Sequence, residues 1–350
     1  CRWIGDYLRL DGPVLVRALA SSRAGKGVGL VIPTLLSWTG SAVIHDIKGE
    51  NWELTSGWRS RLGPCIRFDP TDDVSPRYNP LLEVRKGKFE VRDVQNIADI
   101  LVDPVGSHES RDHWDKTGYA LLVAVMLHVL YAEDNKSLAG CAEFLSHPQR
   151  TIGETLELML NTAHLVGGDG CGRVHPYVAR GARAMKNKSE NERSGVLSTT
   201  LTLLEVFSDP IIADLTSTSD WGVMDLVEAE RPVSLYLVVP PSDISRTRPL
   251  MRLILNQVGR RLTERSPCNG RRKVLLMLDE FPALGRLDFF ETALAFLAGY
   301  GIRAFLIGQS LNQIEKAYGP NNAILDNCHV RVAFATNDER TAKRISEALG

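Results

Sequence analysis

The sequence has no C-x-x-C pair: its six cysteines (Cys1, Cys65, Cys141, Cys171, Cys268 and Cys328) are scattered. That pattern supports neither a zinc ribbon nor a disulfide framework, and it suits a reducing compartment. An excess of one charge is also missing. The 41 Lys and Arg against 42 Asp and Glu leave a formal net charge of −1. No global basic field therefore advertises a nucleic-acid coat, although a local basic lining remains compatible with this balance. Long apolar runs are absent as well. The most apolar stretch, Tyr119 to Ala132, contains His128 and is too short to span a bilayer, so it reads as a buried helix. No signal peptide, internal repeat or low-complexity tract is visible. The chain opens on Cys1 and stops inside a helical pattern, Arg344 to Gly350. We expect a fragment, so the missing anchor says nothing about the parent protein.

What is present is ample material for a core. At 350 residues with 44% hydrophobic and 24% charged residues, the chain can hold one large domain or two ordinary ones. Its first part alternates short apolar runs with helical patterns. Val14–Leu19, Ala42–Ile47 and Cys65–Phe68 read as strands, and Lys26–Trp38 and Glu50–Arg61 as helices. Gly29 and Pro33 conflict with the first helix, which is expected shortened or bent. Such alternation argues for a parallel sheet covered on both faces. From about Val91 to Leu226 apolar residues recur at helical spacing and clear strands disappear, with a glycine-rich loop at Gly167–Gly172. Alternation then resumes. Val233–Val239, Val274–Leu278, Ile302–Ile307 and Val330–Phe334 read as strands, and Leu250–Leu262 and Leu287–Leu297 as helices. The expected organisation is an α/β nucleotide-binding domain over 1–90 and 227–350, interrupted by a mostly helical domain over 91–226.

Two distant elements carry the chemistry. Ala20-Ser21-Ser22-Arg23-Ala24-Gly25-Lys26-Gly27 approximates the phosphate loop G-x-x-x-x-G-K-[ST]. Backbone N–H groups at a helix start cradle phosphate, and the lysine reaches its outer oxygens. Ala20 replaces the first glycine and Gly27 the magnesium-binding hydroxyl, so a plain strand-to-helix turn fits this segment equally well. Val274–Leu278 ends in Asp279-Glu280. By themselves these acids also read as a solvated strand end or a helix cap. Together with the loop, Asp279 suits a magnesium carboxylate and Glu280 a base that polarises water. Ser22, Arg23, Ala24, Gly25, Lys26 and Gly27 are thus the candidate nucleotide contacts, and Lys26, Asp279 and Glu280 the candidate catalytic groups. Gln309, after the next strand, can sense a terminal phosphate or orient water; a hydrogen-bonded strand end reads equally well. ATP and Mg2+ are the implied ligands. His108, His113 and Asp115 show no metal-ligand spacing, and no metal is assigned to them.

Read together, these residues resemble the conjugative coupling proteins of type IV secretion, the TraG family. The matching stretches are Arg23–Gly29, His45–Asn51, Lys188–Glu192, Leu278–Pro282 and Gly308–Gln313, which cover nearly the whole chain in order. The family tolerates a glycine after the loop lysine. The resemblance implies a RecA-like P-loop ATPase domain with an inserted all-helical domain, assembled as a membrane-anchored hexamer at the cytoplasmic face of the bacterial inner membrane. The anchor is then expected outside this fragment. ATP hydrolysis would drive DNA or relaxase-type protein substrates toward components of the secretion channel. A ring ATPase usually needs an arginine from its neighbour. The stretch Leu297–Gly301 has none; Arg286 and Arg303 are the substitutes, and each reads also as a surface or packing residue. Asp46 and Lys48 sit beside the loop, either supporting the site or forming a structural ion pair. Arg180, Arg183, Lys186 and Lys188 make a basic patch that could meet DNA or serve as a solvated helix face. Two other readings stay open: a non-hydrolysing substrate receptor with a degenerate loop, and a soluble DNA-processing motor.

Overall fold

Val16–Leu19 forms β1, and it joins a sheet built from the apolar runs that the sequence separates by helices. The computed structural model describes residues 15–21, 24–104, 106, 112–264, 272–336 and 338–349. After β1 come α1 (Ile32–Ser37), β2 (Ser41–Ile47), α2 (Glu50–Arg59) and β3 (Cys65–Phe68). The middle holds α3 (Glu90–Val102), α4 (His113–Ala132), α5 (Leu138–Leu145) and α6 (Ile152–Asn161). It continues with β4 (Leu165–Val166), β5 (Gly172–Arg173), α7 (Pro176–Lys186), α8 (Glu190–Leu204), α9 (Pro210–Leu215) and α10 (Asp225–Glu228). The last part runs β6 (Ser234–Val239), α11 (Ile244–Thr263), β7 (Val274–Leu278), α12 (Asp288–Leu297) and β8 (Ile302–Gly308). It ends with α13 (Leu311–Tyr318), α14 (Ile324–Asn327), β9 (Val330–Ala333) and α15 (Glu339–Leu349).

Among the described residues the main sheet has seven strands in the order β3-β6-β2-β7-β8-β1-β9. The pairs β2–β7, β7–β8, β8–β1 and β1–β9 are parallel. Every residue of β6 and β7 is buried, as expected of interior strands covered on both faces. The register sets His45 opposite Leu278, Leu278 opposite Leu306, and Gly308 opposite Leu19. The carboxyl ends of β2, β7, β8 and β1 therefore finish side by side, which is where parallel α/β sheets bind ligands.

One expected helix is divided. Lys26–Trp38 consists of a π-helical turn over Gly27–Val31 followed by α1. The N–H of Ile32 donates to the carbonyl of Gly27, five residues back. Pro33 has no N–H to give Gly29, so the wider turn carries the chain past it, and Pro33 falls in the first turn of α1, where a missing donor is harmless. The middle segment is not free of strands either, because β4 and β5 form a short antiparallel ribbon around the Gly167–Gly172 turn.

The chain divides into two compact units, Cys1–Ile66 with Leu226–Tyr236 and Arg260–Gly350, and Arg67–Asp225 with Leu237–Gly259. Residues 67–90 and 237–259 thus group with the helices rather than with the nucleotide-binding part to which the sequence reading gave them. Side chains explain the grouping. Tyr78 is fully buried, stacks on Trp221 at 4.1 Å and donates to Gln257 Oε1 at 2.9 Å. Asn79 donates to the carbonyls of Lys136 and Ser217, each at 2.9 Å. Within the same unit α4 is buried along Leu121–Leu130. It approaches α7 so closely that a Cβ on Gly181 would come within 2.5 Å of the Ala124 Cβ. Among the described residues no helix is long and apolar enough to cross a membrane.

Candidate functional site

β1 leaves the sheet at Ala20, which is fully buried and donates its N–H to the Gly308 carbonyl at 3.1 Å. The loop turns at Gly25, whose φ of +87° lies in the left-handed region that favours glycine. The Gly29 N–H then donates to Gly25 at 2.8 Å, and the chain winds directly into the π-helical turn. The first N–H groups of a helix have no intrahelical acceptor, which is the physical basis of an anion cradle. A Cβ on Gly27 would meet nothing within 4 Å.

Lys26 projects from this turn onto the end of β7. Its Nζ lies 3.0 Å from Asp279 Oδ1 and also pairs with Glu280 Oε1, although Lys26 and Glu280 are 254 positions apart. Gln309, at the end of β8, donates from Nε2 to the same Glu280 oxygen at 3.1 Å. Glu280 has φ +52° and ψ +42°, a left-handed conformation that is costly for a residue with a side chain. It turns the chain off β7 into the short 3-10 helix Phe281–Leu284. Burial opposes the charge of Lys26, but Asp279 and the Glu280 hydrogen bond outweigh it and raise the pKa above the usual lysine value.

The structure thus brings Lys26, Asp279, Glu280 and Gln309 together beside Ala24, Gly25 and Gly27. Ser22 and Arg23 lie outside the described residues, as do Val14 and His108. Among the described residues, the buried Asp279 Oδ1 has no hydrogen-bond donor, and the cation close to it is Lys26 at 3.0 Å. An acceptor-only oxygen in that state fits a hard divalent cation. Mg2+ is commonly held by one or two carboxylates together with phosphate oxygens and water.

β2 adds two residues. Asp46, 1% exposed, accepts from the N–H groups of Asn51 (3.2 Å) and Trp52 (2.8 Å), fixing the start of α2. Burial raises its pKa, with the Asp279 charge adding to the shift. The alternative of an Asp46–Lys48 ion pair is replaced by this cap; Lys48 Nζ lies 4.0 Å from Glu50. Sequence reasoning placed His45 at the start of a matching stretch but gave it no role. Its ring Nδ1 is 2.7 Å from the carbonyl of Asp279, and burial holds its pKa below the ordinary imidazole value. The available signal was its position one residue before Asp46 at a strand end.

Other candidates are engaged elsewhere. Arg286 pairs with Glu291 at 2.8 Å and Asp288 at 3.4 Å, while Arg303 donates to the Ala298 carbonyl at 3.0 Å. Asp115 belongs to a capping box with Asp112 at the start of α4, and His113 lies 3.1 Å from Glu192. In the basic patch Lys186 pairs with Glu157, Lys188 pairs with Glu192, and Arg180 lies over the Tyr177 ring at 4.3 Å.

A parallel sheet with a phosphate-loop turn after one strand and paired acids after a strand two places away defines a RecA-like P-loop nucleoside triphosphatase fold. The family model for type IV secretory system conjugative DNA transfer matches residues 1–350, and the chain belongs to that family. The conjugal transfer protein TraG of Escherichia coli is 42% identical over 362 residues, covering 98% of this chain and 56% of TraG. VirD4 of Agrobacterium fabrum is 33% identical over 362 residues, covering 100% of this chain and 51% of VirD4. The chain spans about half the length of these curated relatives. The bacterial conjugative coupling protein TrwB, solved with sulphate, shares the fold at a TM-score of 0.71 and 19% identity, over 97% of this chain and 74% of that one. TrwB has also been solved with a non-hydrolysable ATP analogue and with ADP and Mg2+.

Proposed function

We propose that this chain is the ATP-hydrolysing motor segment of a coupling protein that delivers DNA or relaxase-type proteins to a type IV secretion channel during conjugation. The unit that holds Lys26, Asp279, Glu280 and Gln309 acts as the nucleotide-binding domain and the helical unit as the insertion. The whole protein works as a hexamer anchored in the bacterial inner membrane, with this segment on the cytoplasmic side. One observation carries the reading: the Lys26 ammonium sits between Asp279 and Glu280, with Gln309 on the same carboxylate. Family membership and the nucleotide complexes of TrwB support it.

Each residue then has a task. The turn Ser22–Gly27 wraps the phosphates with backbone N–H groups, and Lys26 moves onto their outer oxygens. Asp279 would hold the magnesium ion, which when bound neutralises charge on the phosphates. Glu280 takes the proton of the attacking water, and Gln309 holds the Glu280 carboxylate and senses the terminal phosphate. ATP hydrolysis by the assembled full-length protein tests this. We expect turnover stimulated by single-stranded DNA and abolished by Lys26→Ala. Hydrolysis indifferent to both DNA and Lys26→Ala would overturn the reading. Ala20 and Gly27, which depart from the loop pattern, favour a second reading, a substrate receptor without turnover. Tight substrate binding with no hydrolysis in the wild type would select it.

A further inference from the structure

The peptide that joins the two acids is held by a side chain outside the nucleotide loop. His45 and Leu278 are opposite each other in the last matched position of β2 and β7. Asp279 is the first residue beyond the ladder, so its carbonyl has left the sheet's own hydrogen bonding. The His45 ring takes it at 2.7 Å, and since a carbonyl only accepts, Nδ1 carries the hydrogen. The Asp279 carbonyl and the Glu280 N–H share one rigid peptide plane. Fixing that plane sets ψ of Asp279 and φ of Glu280 together, and with them the directions of both carboxylates. Glu280 has φ +52°, and a left-handed residue with a side chain persists only where its surroundings over-determine it. The ring is 2% exposed, so water competes little for the bond.

We infer that His45 is a positioning residue for hydrolysis: by donating from Nδ1 to the Asp279 carbonyl it holds the Asp279–Glu280 peptide in the orientation that aims Asp279 at the metal and Glu280 at the water. The inference rests on the nucleotide-hydrolysis reading and deepens it. It touches neither the phosphate contacts of Lys26 nor the loop backbone, so its consequences separate from theirs. Partners that orient a ligating carboxylate typically change metal affinity or activity 10–100-fold when removed (about that range).

The test uses the full-length protein and three variants. His45→Phe keeps an aromatic ring without the donor. His45→Asn keeps an amide near Nδ1, and His45→Gln moves it toward Nε2. In His45→Phe we expect kcat to fall and the Mg2+ needed for half-maximal turnover to rise, each about 10-fold or more, with KM for ATP within about twofold. His45→Asn should recover most of the loss and His45→Gln little. A readout without nucleotide or metal accompanies these. Amide exchange over residues 279–285 should quicken by about fivefold in His45→Phe, the loss of one net hydrogen bond. A folded His45→Phe with unchanged kcat, Mg2+ requirement and exchange overturns the inference. If His45→Phe does not fold, equal activity of the Asn and Gln variants overturns it instead. Absence of hydrolysis in the wild type would instead sink the functional reading, and the amide-exchange comparison would still judge the positioning.

Discussion

Arg59 offers a quantitative test of how the phosphate-loop helix is anchored. Its side chain is fully buried, and among the described residues it pairs with no carboxylate. The guanidinium donates to the carbonyls of Leu35, Trp38 and Gly40 at 2.8 Å each, and to Ser234 Oγ at 2.7 Å. Leu35 lies in α1 and Trp38 caps its carboxyl end, where the helix dipole is negative and carbonyls lack intrahelical donors. Burial lowers the Arg59 pKa from its ordinary value, so the fold bears a real desolvation cost for this charge. Arg59→Met removes that cost but strands three carbonyls and a hydroxyl. Hydrogen bonds to a charged group contribute about 1.5–3 kcal/mol each. Leaving a buried acceptor unsatisfied costs about 1–3 kcal/mol. Three of the four stranded acceptors are main-chain groups that no substitution can replace, so the loss wins and we expect about 3–5 kcal/mol, offset in part by the relieved desolvation. Arg59→Lys should fall between, because one ammonium cannot span four acceptors that a planar fork reaches. Denaturant unfolding followed on the sheet-bearing unit measures both variants. An Arg59→Met protein within about 1 kcal/mol of the wild type would refute the reasoning.

Two further perturbations can be checked. His128 and His164 lie in the helical unit, and burial pushes each down to about 4 from 6.5. Glu133 accepts from His128 Nε2 (3.2 Å), so His128 Nδ1 (2.8 Å) accepts from His164 Nε2; His164 Nδ1 in turn accepts from the His175 N–H at 3.2 Å. Their folded pKa is depressed, so the stability they permit is present above pH 6.5 and is lost as pH falls toward 4. At pH 5 either histidine alone should cost about 2 kcal/mol. Melting of this unit between pH 7.5 and 5 should show the loss and His128→Gln should remove about half of it, leaving the His164 share; a pH-independent melt would contradict the network. Gly27→Thr restores the hydroxyl of the common phosphate loop into open space. It should leave the fold intact within about 1 kcal/mol and lower the Mg2+ needed for half-maximal turnover, whereas an unchanged requirement would count against magnesium binding at this end of the loop.

Much of this molecule was legible in its residues because parallel strands are continuous apolar runs. Val274–Leu278 and Cys65–Phe68 fall where the sequence puts them. The pairing of Lys26 with the acids was legible for a related reason: both follow strands, and strand ends in a parallel sheet converge. Local periodicity could not reveal the division of the first helix, which depends on a π-helical turn carrying the chain past the Gly29 carbonyl that Pro33, without an N–H, cannot serve. Nor could it reveal the grouping of residues 67–90 with the helices, which rests on Tyr78 reaching Gln257 across 179 positions. The role of His45 was not legible because its partner is a main-chain carbonyl, and no spacing rule links an imidazole to a backbone atom 234 positions away.

The most direct measurement is ATP binding and single-turnover hydrolysis in assembled Glu280→Gln protein. Glutamine keeps the shape beside Lys26 and Gln309 but cannot take a proton. ATP should bind about as tightly as in the wild type, while the chemical step slows by about 100-fold or more. Full hydrolysis by Glu280→Gln would contradict the claim that this loop and these acids surround one nucleotide.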